Sequence, residues 1–103
     1  MGISTHILDT TKGRPARGVT VRLEQVTGAS TKELARGVTN DDGRVKPLLD
    51  VIPAAGHYRL HFEVGPWFAA QGVESFYPLV ALDFEVKAPA EHYHVPLLLN
   101  PFG

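Results

Sequence analysis

Apolar residues recur at every second position through much of this chain. "ISTHILD" sets Ile3, Thr5 and Ile7 on one face and Ser4, His6 and Leu8 on the other. "GVTVRLEQV" sets Val19, Val21 and Leu23 against Thr20, Arg22 and Glu24. The clearest run is "HYRLHFEV", where Tyr58, Leu60, Phe62 and Val64 oppose His57, Arg59, His61 and Glu63. "LVALDFEV" aligns Val80, Leu82, Phe84 and Val86. "HYHVPLLL" aligns Tyr93, Val95, Leu97 and Leu99 opposite His92, His94, Pro96 and Leu98. "TKELARGVT" is a weaker partner strand, because Lys, Glu and Ala favour strands poorly. A period of two predicts strands buried on one face and wet on the other.

Turn chemistry separates these runs. "TTKGRPARG" is a turn-rich connection, "TGAS" breaks the second strand, "NDDGR" is a tight turn and "KAPAE" a loop. "GPWFAAQGV" departs from the period. Pro66 near its start, two alanines and a closing Gly72 predict one or two helical turns there. Roughly seven strands and one short helix predict an all-β fold, a two-sheet, mainly antiparallel β-sandwich forming one domain over residues 1–103.

Composition narrows the function classes. A net charge of −1 gives no electrostatic case for nucleic acid or membrane binding. The absence of cysteine excludes disulfides and thiolate metal sites. The N-terminus shows neither a basic n-region nor an apolar h-region, and no apolar run approaches the roughly 20 residues of a membrane span. A cytoplasmic protein is the expectation. A core built from 103 residues is modest, so assembly into an oligomer would add useful burial.

Candidate chemistry lies with the histidines. His6 and His94 both oppose the apolar face of their strands, which in a sandwich is the outer face of a sheet. His57 and His61 share a face with Arg59 and Glu63 and read as ordinary solvated side chains. His92 and His94, two apart on one strand, lie about 7 Å from each other and could converge on a metal ion. Such a site needs a third ligand, which His6 supplies only if its strand is adjacent. Pro96 and Leu98 share that face, which makes it a candidate contact surface. Arg44 leaves the "NDDGR" turn. It is either simply the first exposed residue after it, or aimed at an anion or a carbonyl gaining negative charge.

"STHILDTTKGRPARGVTVRL", "TNDDGR", "ESFYPLV" and "HYHVPLLLNPFG" together resemble, in order and spacing, the transthyretin-like family. Within it they look like the 5-hydroxyisourate hydrolases rather than the hormone carriers. The likeness runs from Ile3 to Gly103, and its most specific parts are Ser4-Thr5-His6, Asp42-Gly43-Arg44 and His92-Tyr93-His94-Val95-Pro96. It implies a two-sheet sandwich with a short helix, assembled as a homotetramer, a dimer of dimers. The strands of His6, His94 and Arg44 would be neighbours, and their outer face would line a central channel.

The implied catalytic and substrate-binding residues are His6, Arg44 and His94, with Ser4, Thr5 and His92 as supporting candidates, and neither metal nor cofactor. The implied substrate is the small molecule 5-hydroxyisourate. Channel binding of a small apolar ligand without hydrolysis is the alternative, disfavoured by the polarity of these three side chains. The family's enzymes also continue beyond the position of Gly103 with a short strand and a Tyr-Arg-Gly-Ser terminus that enters the site. This sequence stops before them, and Asn100 and Phe102 depart slightly from the family's usual Ser and Tyr, but every upstream catalytic position is intact, and a continuing native chain is the expectation.

Overall fold

The computed structural model describes residues 2–49, 53–87 and 92–100. Its strands are β1 (Gly2–Asp9), β2 (Arg14–Pro15), β3 (Thr20–Thr27), β4 (Ser30–Val38), β5 (Arg44–Leu49), β6 (Gly56–Phe62), β7 (Val80–Val86) and β8 (His92–Leu99), with one helix, α1 (Val64–Ala69). One sheet runs β4-β3-β6-β7, antiparallel throughout. In the other, β1 is central. β8 flanks it along its whole length, while β5 and β2 pair with successive parts of it.

The alternating pattern explains why the two sheets close on each other. Ile3, Ile7, Val21, Leu23, Leu60 and Phe62 meet between them, each at 0% exposure, and remove the inward apolar face of β1, β3 and β6 from water. The outward residues His6, Arg22 and Arg59 remain at least partly accessible. Among the described residues, no helix is long and apolar enough to cross a membrane.

The expected two-sheet, mainly antiparallel sandwich is present, with β1 and β8 as a parallel pair within it. The strand beginning at Arg44, which the resemblance placed beside that of His6, is there as β5; the alternating pattern alone did not show it, because Pro47 interrupts it. Among the described residues β5 pairs only with β1, and an outer strand tolerates a proline that a central one does not. Two expectations are revised. First, the helix starts at Val64, where the strand was expected to continue. Val64 and Phe68 are both buried one turn apart. Gly65 donates its N–H to the Pro78 carbonyl at 2.9 Å, and a Cβ there would lie 2.7 Å from that same oxygen. Second, His61 is not solvated. The "KAPAE" loop falls, apart from Lys87, outside the described residues.

His61 lies on the outer face of the β4-β3-β6-β7 sheet, yet its side chain is only 13% exposed. Its Nε2 bonds the Glu24 carboxylate. Arg22, half-buried nearby, lies within ion-pair distance of Glu24, Glu33 and Glu63. The register explains the cover: Arg22 stands opposite His61 on one side and Arg36 on the other, so long charged side chains lie over the imidazole. His57 on the same strand remains about half exposed, near Asp83. The hydrogen bond from Arg59 holds the Asp83 carboxyl below its usual range.

His61 Nδ1 is already buried without a hydrogen-bond partner among the described residues. Glu24→Ala strips the partner from the other ring nitrogen as well. The expected loss is about 1–3 kcal/mol of stability, the cost of an unsatisfied buried polar group, measured by urea denaturation. A change below about 0.5 kcal/mol would mean that water replaces the carboxylate without penalty.

Candidate active site

Strand register brings the candidate residues together. The parallel pairing sets Ser4 opposite His94 and His6 opposite Pro96. The antiparallel pairing on the other side sets His6 opposite Arg44. Side chains at facing positions of neighbouring strands share a face, so Arg44, His6 and His94 occupy three adjacent strands of one outer surface. The His6 and His94 rings lie 6.5 Å apart between centroids, tilted by 37°. His94 is exposed, and His6 and Arg44 are half-buried.

The supporting residues separate into distinct roles. Ser4 is buried, and its Oγ lies 2.9 Å from His94 Nδ1. That bond orients the imidazole and couples its tautomer to the direction of the hydroxyl proton. Thr5 faces the interior instead, where its Oγ1 donates to the Val95 carbonyl at 2.6 Å. It ties β8 to β1 directly after His94 and takes no place on the outer surface. In β8 the backbone of His92 pairs with Gly2 of β1, while its side chain lies outside what the structure describes. Among the described residues, no three His, Asp or Glu side chains are grouped to hold a metal ion.

Arg44 is placed by the turn before it. Gly43 has φ +74°, and its carbonyl accepts the Ile7 N–H at 2.7 Å. The Ile7 carbonyl in turn accepts the Ala16 N–H at 3.0 Å. The turn therefore lies flat against β1, one residue beyond His6. Buried Thr39 secures the same region, donating to the Ala16 carbonyl at 2.7 Å and accepting the Val19 N–H at 2.9 Å.

His6, Pro15, Asn40, Asp42 and Arg44 line an open depression of about 560 Å³. Arg17, Arg22, Arg36 and Arg59 all pair with carboxylates. Among the described residues, Arg14 and Arg44 have no such ion pair; of the two, Arg44 lines this depression, which leaves its guanidinium available to an anionic or carbonyl-rich ligand. A second hollow of about 340 Å³, bordered by Tyr77, Leu79, Val80 and Leu98 among others, contains no histidine, carboxylate or guanidinium.

Residues 3–103 match the family model described as HIUase/Transthyretin. The chain belongs to the HIUase/transthyretin family. The 5-hydroxyisourate hydrolase of Salmonella typhimurium is 42% identical over 102 residues, 98% of this chain and 75% of that one. The structure of Klebsiella pneumoniae 5-hydroxyisourate hydrolase superposes with a TM-score of 0.88 at 41% identity, covering 100% of this chain and 93% of the other. Sea bream transthyretin in complex with thyroxine superposes with a TM-score of 0.91 at 31% identity, covering 100% and 90%. Fold therefore does not separate the hydrolase from the thyroxine-bound transthyretin within the HIUase/transthyretin family, and the surface chemistry has to.

Of that surface, the sequence pattern alone missed Pro15 and the place of Asn40 in its lining. Pro15 sits in a stretch that reads only as a connection, with no signal of its own. Asn40 is visible as a turn residue four positions before Arg44, which was the available clue.

Proposed function

We propose that this protein hydrolyses 5-hydroxyisourate, with His6, His94 and Arg44 as its catalytic residues. The observation that carries the reading is the pair of imidazoles 6.5 Å apart on a face where His6 stands in cross-strand register with Arg44. Its support from relatives is the higher identity to hydrolases, 41–42%, than to the thyroxine-bound carrier, 31%. The polar face favours the same choice, because an apolar ligand gains nothing from two imidazoles and a guanidinium.

One imidazole takes a proton from water as the oxygen attacks a ring carbonyl carbon. Histidine suits this step because its ordinary pKa lies near neutrality. Arg44 donates hydrogen bonds to the oxygen that becomes negative in the tetrahedral intermediate. The adjacent C–N bond then breaks, and a protonated imidazole returns a proton to the departing nitrogen. The carbonyl carbon becomes a carboxylate and the nitrogen ends a ureido group, giving 2-oxo-4-hydroxy-4-carboxy-5-ureidoimidazoline. Ser4 holds the His94 ring in place for its part. Pro96, exposed beside this site, and Leu98, 67% exposed, form the apolar border over which a second copy closes in a homotetramer.

The test is to add purified protein, with whatever native sequence follows Gly103 retained, to freshly generated 5-hydroxyisourate and follow its ultraviolet absorbance. Decay faster than the buffer control is expected, and decay at the control rate would refute the activity. Arg44→Lys is expected to lower kcat/KM about 10- to 100-fold, since an ammonium cannot reproduce two parallel hydrogen bonds. Full activity in that variant removes the guanidinium from the reaction.

A further inference from the structure

We infer that Asn40 is a positioning residue for Arg44, acting through the backbone of the turn; the inference rests on the role proposed above for Arg44. Asn40 Oδ1 accepts the N–H of Asp42 at 2.9 Å and that of Arg44 at 3.0 Å. The Asn40 backbone N–H donates to the Arg44 carbonyl at 2.9 Å, and its carbonyl accepts the Gly43 N–H at 2.9 Å. Both backbone polar groups of Arg44 therefore bond to a single residue, and one of those two bonds is made by a side chain. The neighbouring anchor is the Gly43 carbonyl on Ile7. Together they clamp Arg44 from two directions at the first residue of β5, where a strand end would otherwise fray.

This clamp matters because the guanidinium stands at the end of a long side chain, which magnifies any tilt at its Cα. A catalytic group displaced by about 1 Å can lose about 100-fold in rate. Asn suits the position for a chemical reason. Its short side chain accepts from N–H groups two and four residues on, and it adds no charge beside the guanidinium. Asn40 lines the same depression as His6 and Arg44, so direct contact with substrate is the competing explanation, and the experiment separates the two.

The experiment compares kcat and KM of Asn40→Ala, Arg44→Ala, the double variant and Asn40→Asp, with thermal unfolding of each. Asn40→Ala is expected to lower kcat/KM about 10- to 100-fold, with the same division between kcat and KM as Arg44→Ala. In the Arg44→Ala background, the second substitution should cost no more than about twofold, because its effect passes through a side chain already removed. Asn40→Asp, which keeps an acceptor oxygen, should recover most of the loss. Amide hydrogen exchange at residues 42 and 44 should quicken in Asn40→Ala, independently of turnover.

Unchanged kcat/KM in Asn40→Ala overturns the inference. So does a full multiplicative loss in the double variant, which would place Asn40 on the substrate itself. Unchanged turnover in Arg44→Ala instead sinks the reading of Arg44, and this inference with it.

Discussion

Replacing His94 by Asn should lower kcat about 100-fold or more, the usual contribution of a positioned acid–base group. Asparagine is the informative choice. It is close to imidazole in size and can still bond the Ser4 hydroxyl 2.9 Å from the native ring nitrogen, but it cannot carry a proton through a reaction cycle. The loss should therefore fall on kcat, with KM little altered, and one limb of the pH–rate profile should disappear. Ser4→Ala should give a smaller effect, about 10-fold, because the imidazole remains and only its orientation is released. Steady-state kinetics across pH 5 to 9 would measure both. Wild-type kcat in His94→Asn would take His94 out of the chemistry and leave His6 as the sole imidazole.

Gly43→Ala should damage both stability and turnover, and the geometry says why. The backbone there has φ +74°, and an added Cβ would lie 2.4 Å from the Ile7 carbonyl and 3.1 Å from the Ala16 nitrogen. Neither neighbour can yield cheaply, because Ile7 belongs to the central strand and its carbonyl already accepts the Ala16 N–H. Left-handed geometry and the clash together should cost about 2–4 kcal/mol, which lowers Tm by about 10 °C or more in a domain of this size. Arg44, the next residue, moves with the turn, so kcat/KM falls even where the protein remains folded. Gly28→Ala is the control. It has φ +59° with nothing within 4 Å of the added carbon, so only the backbone penalty of about 1–2 kcal/mol applies. Equal effects at the two glycines would show that contact with Ile7 is irrelevant.

The strands legible in the sequence are those whose alternation reflects one-sided burial, as in 57–62, 80–86 and 93–99. The outward placement of His6 and His94 follows from the same alternation. Burial imposes that period locally, so a local pattern reports it. Strand adjacency has no local signature. Nothing within "ISTHILD" or "HYHVPLLL" indicates that they pair in parallel with Ser4 beside His94, and only the family resemblance supplied that neighbour. β5 was hidden because Pro47 breaks its pattern. His61 was misjudged because its cover comes from Arg22, Glu24 and neighbouring strands, and charged side chains at sequence-distant positions look like solvent-facing ones. The start of α1 was missed because Val64 satisfies both periods at once, ending one and opening the other.

The parallel pairing of β1 with β8 also governs when this protein can become functional during synthesis. Ser4 and His94 are separated by 90 positions, an interval that a ribosome adding about 5–20 residues per second crosses in roughly 5–20 s. Throughout that time the edge of the central strand that β8 will cover stays bare, a template for any other nascent chain. The two imidazoles cannot meet until β8 has left the exit tunnel, so the proposed reactive centre is among the later features to assemble. A stalled or prematurely terminated polypeptide lacking β8 would be doubly compromised, without the His94 half of that proposed centre and prone to stick to its siblings.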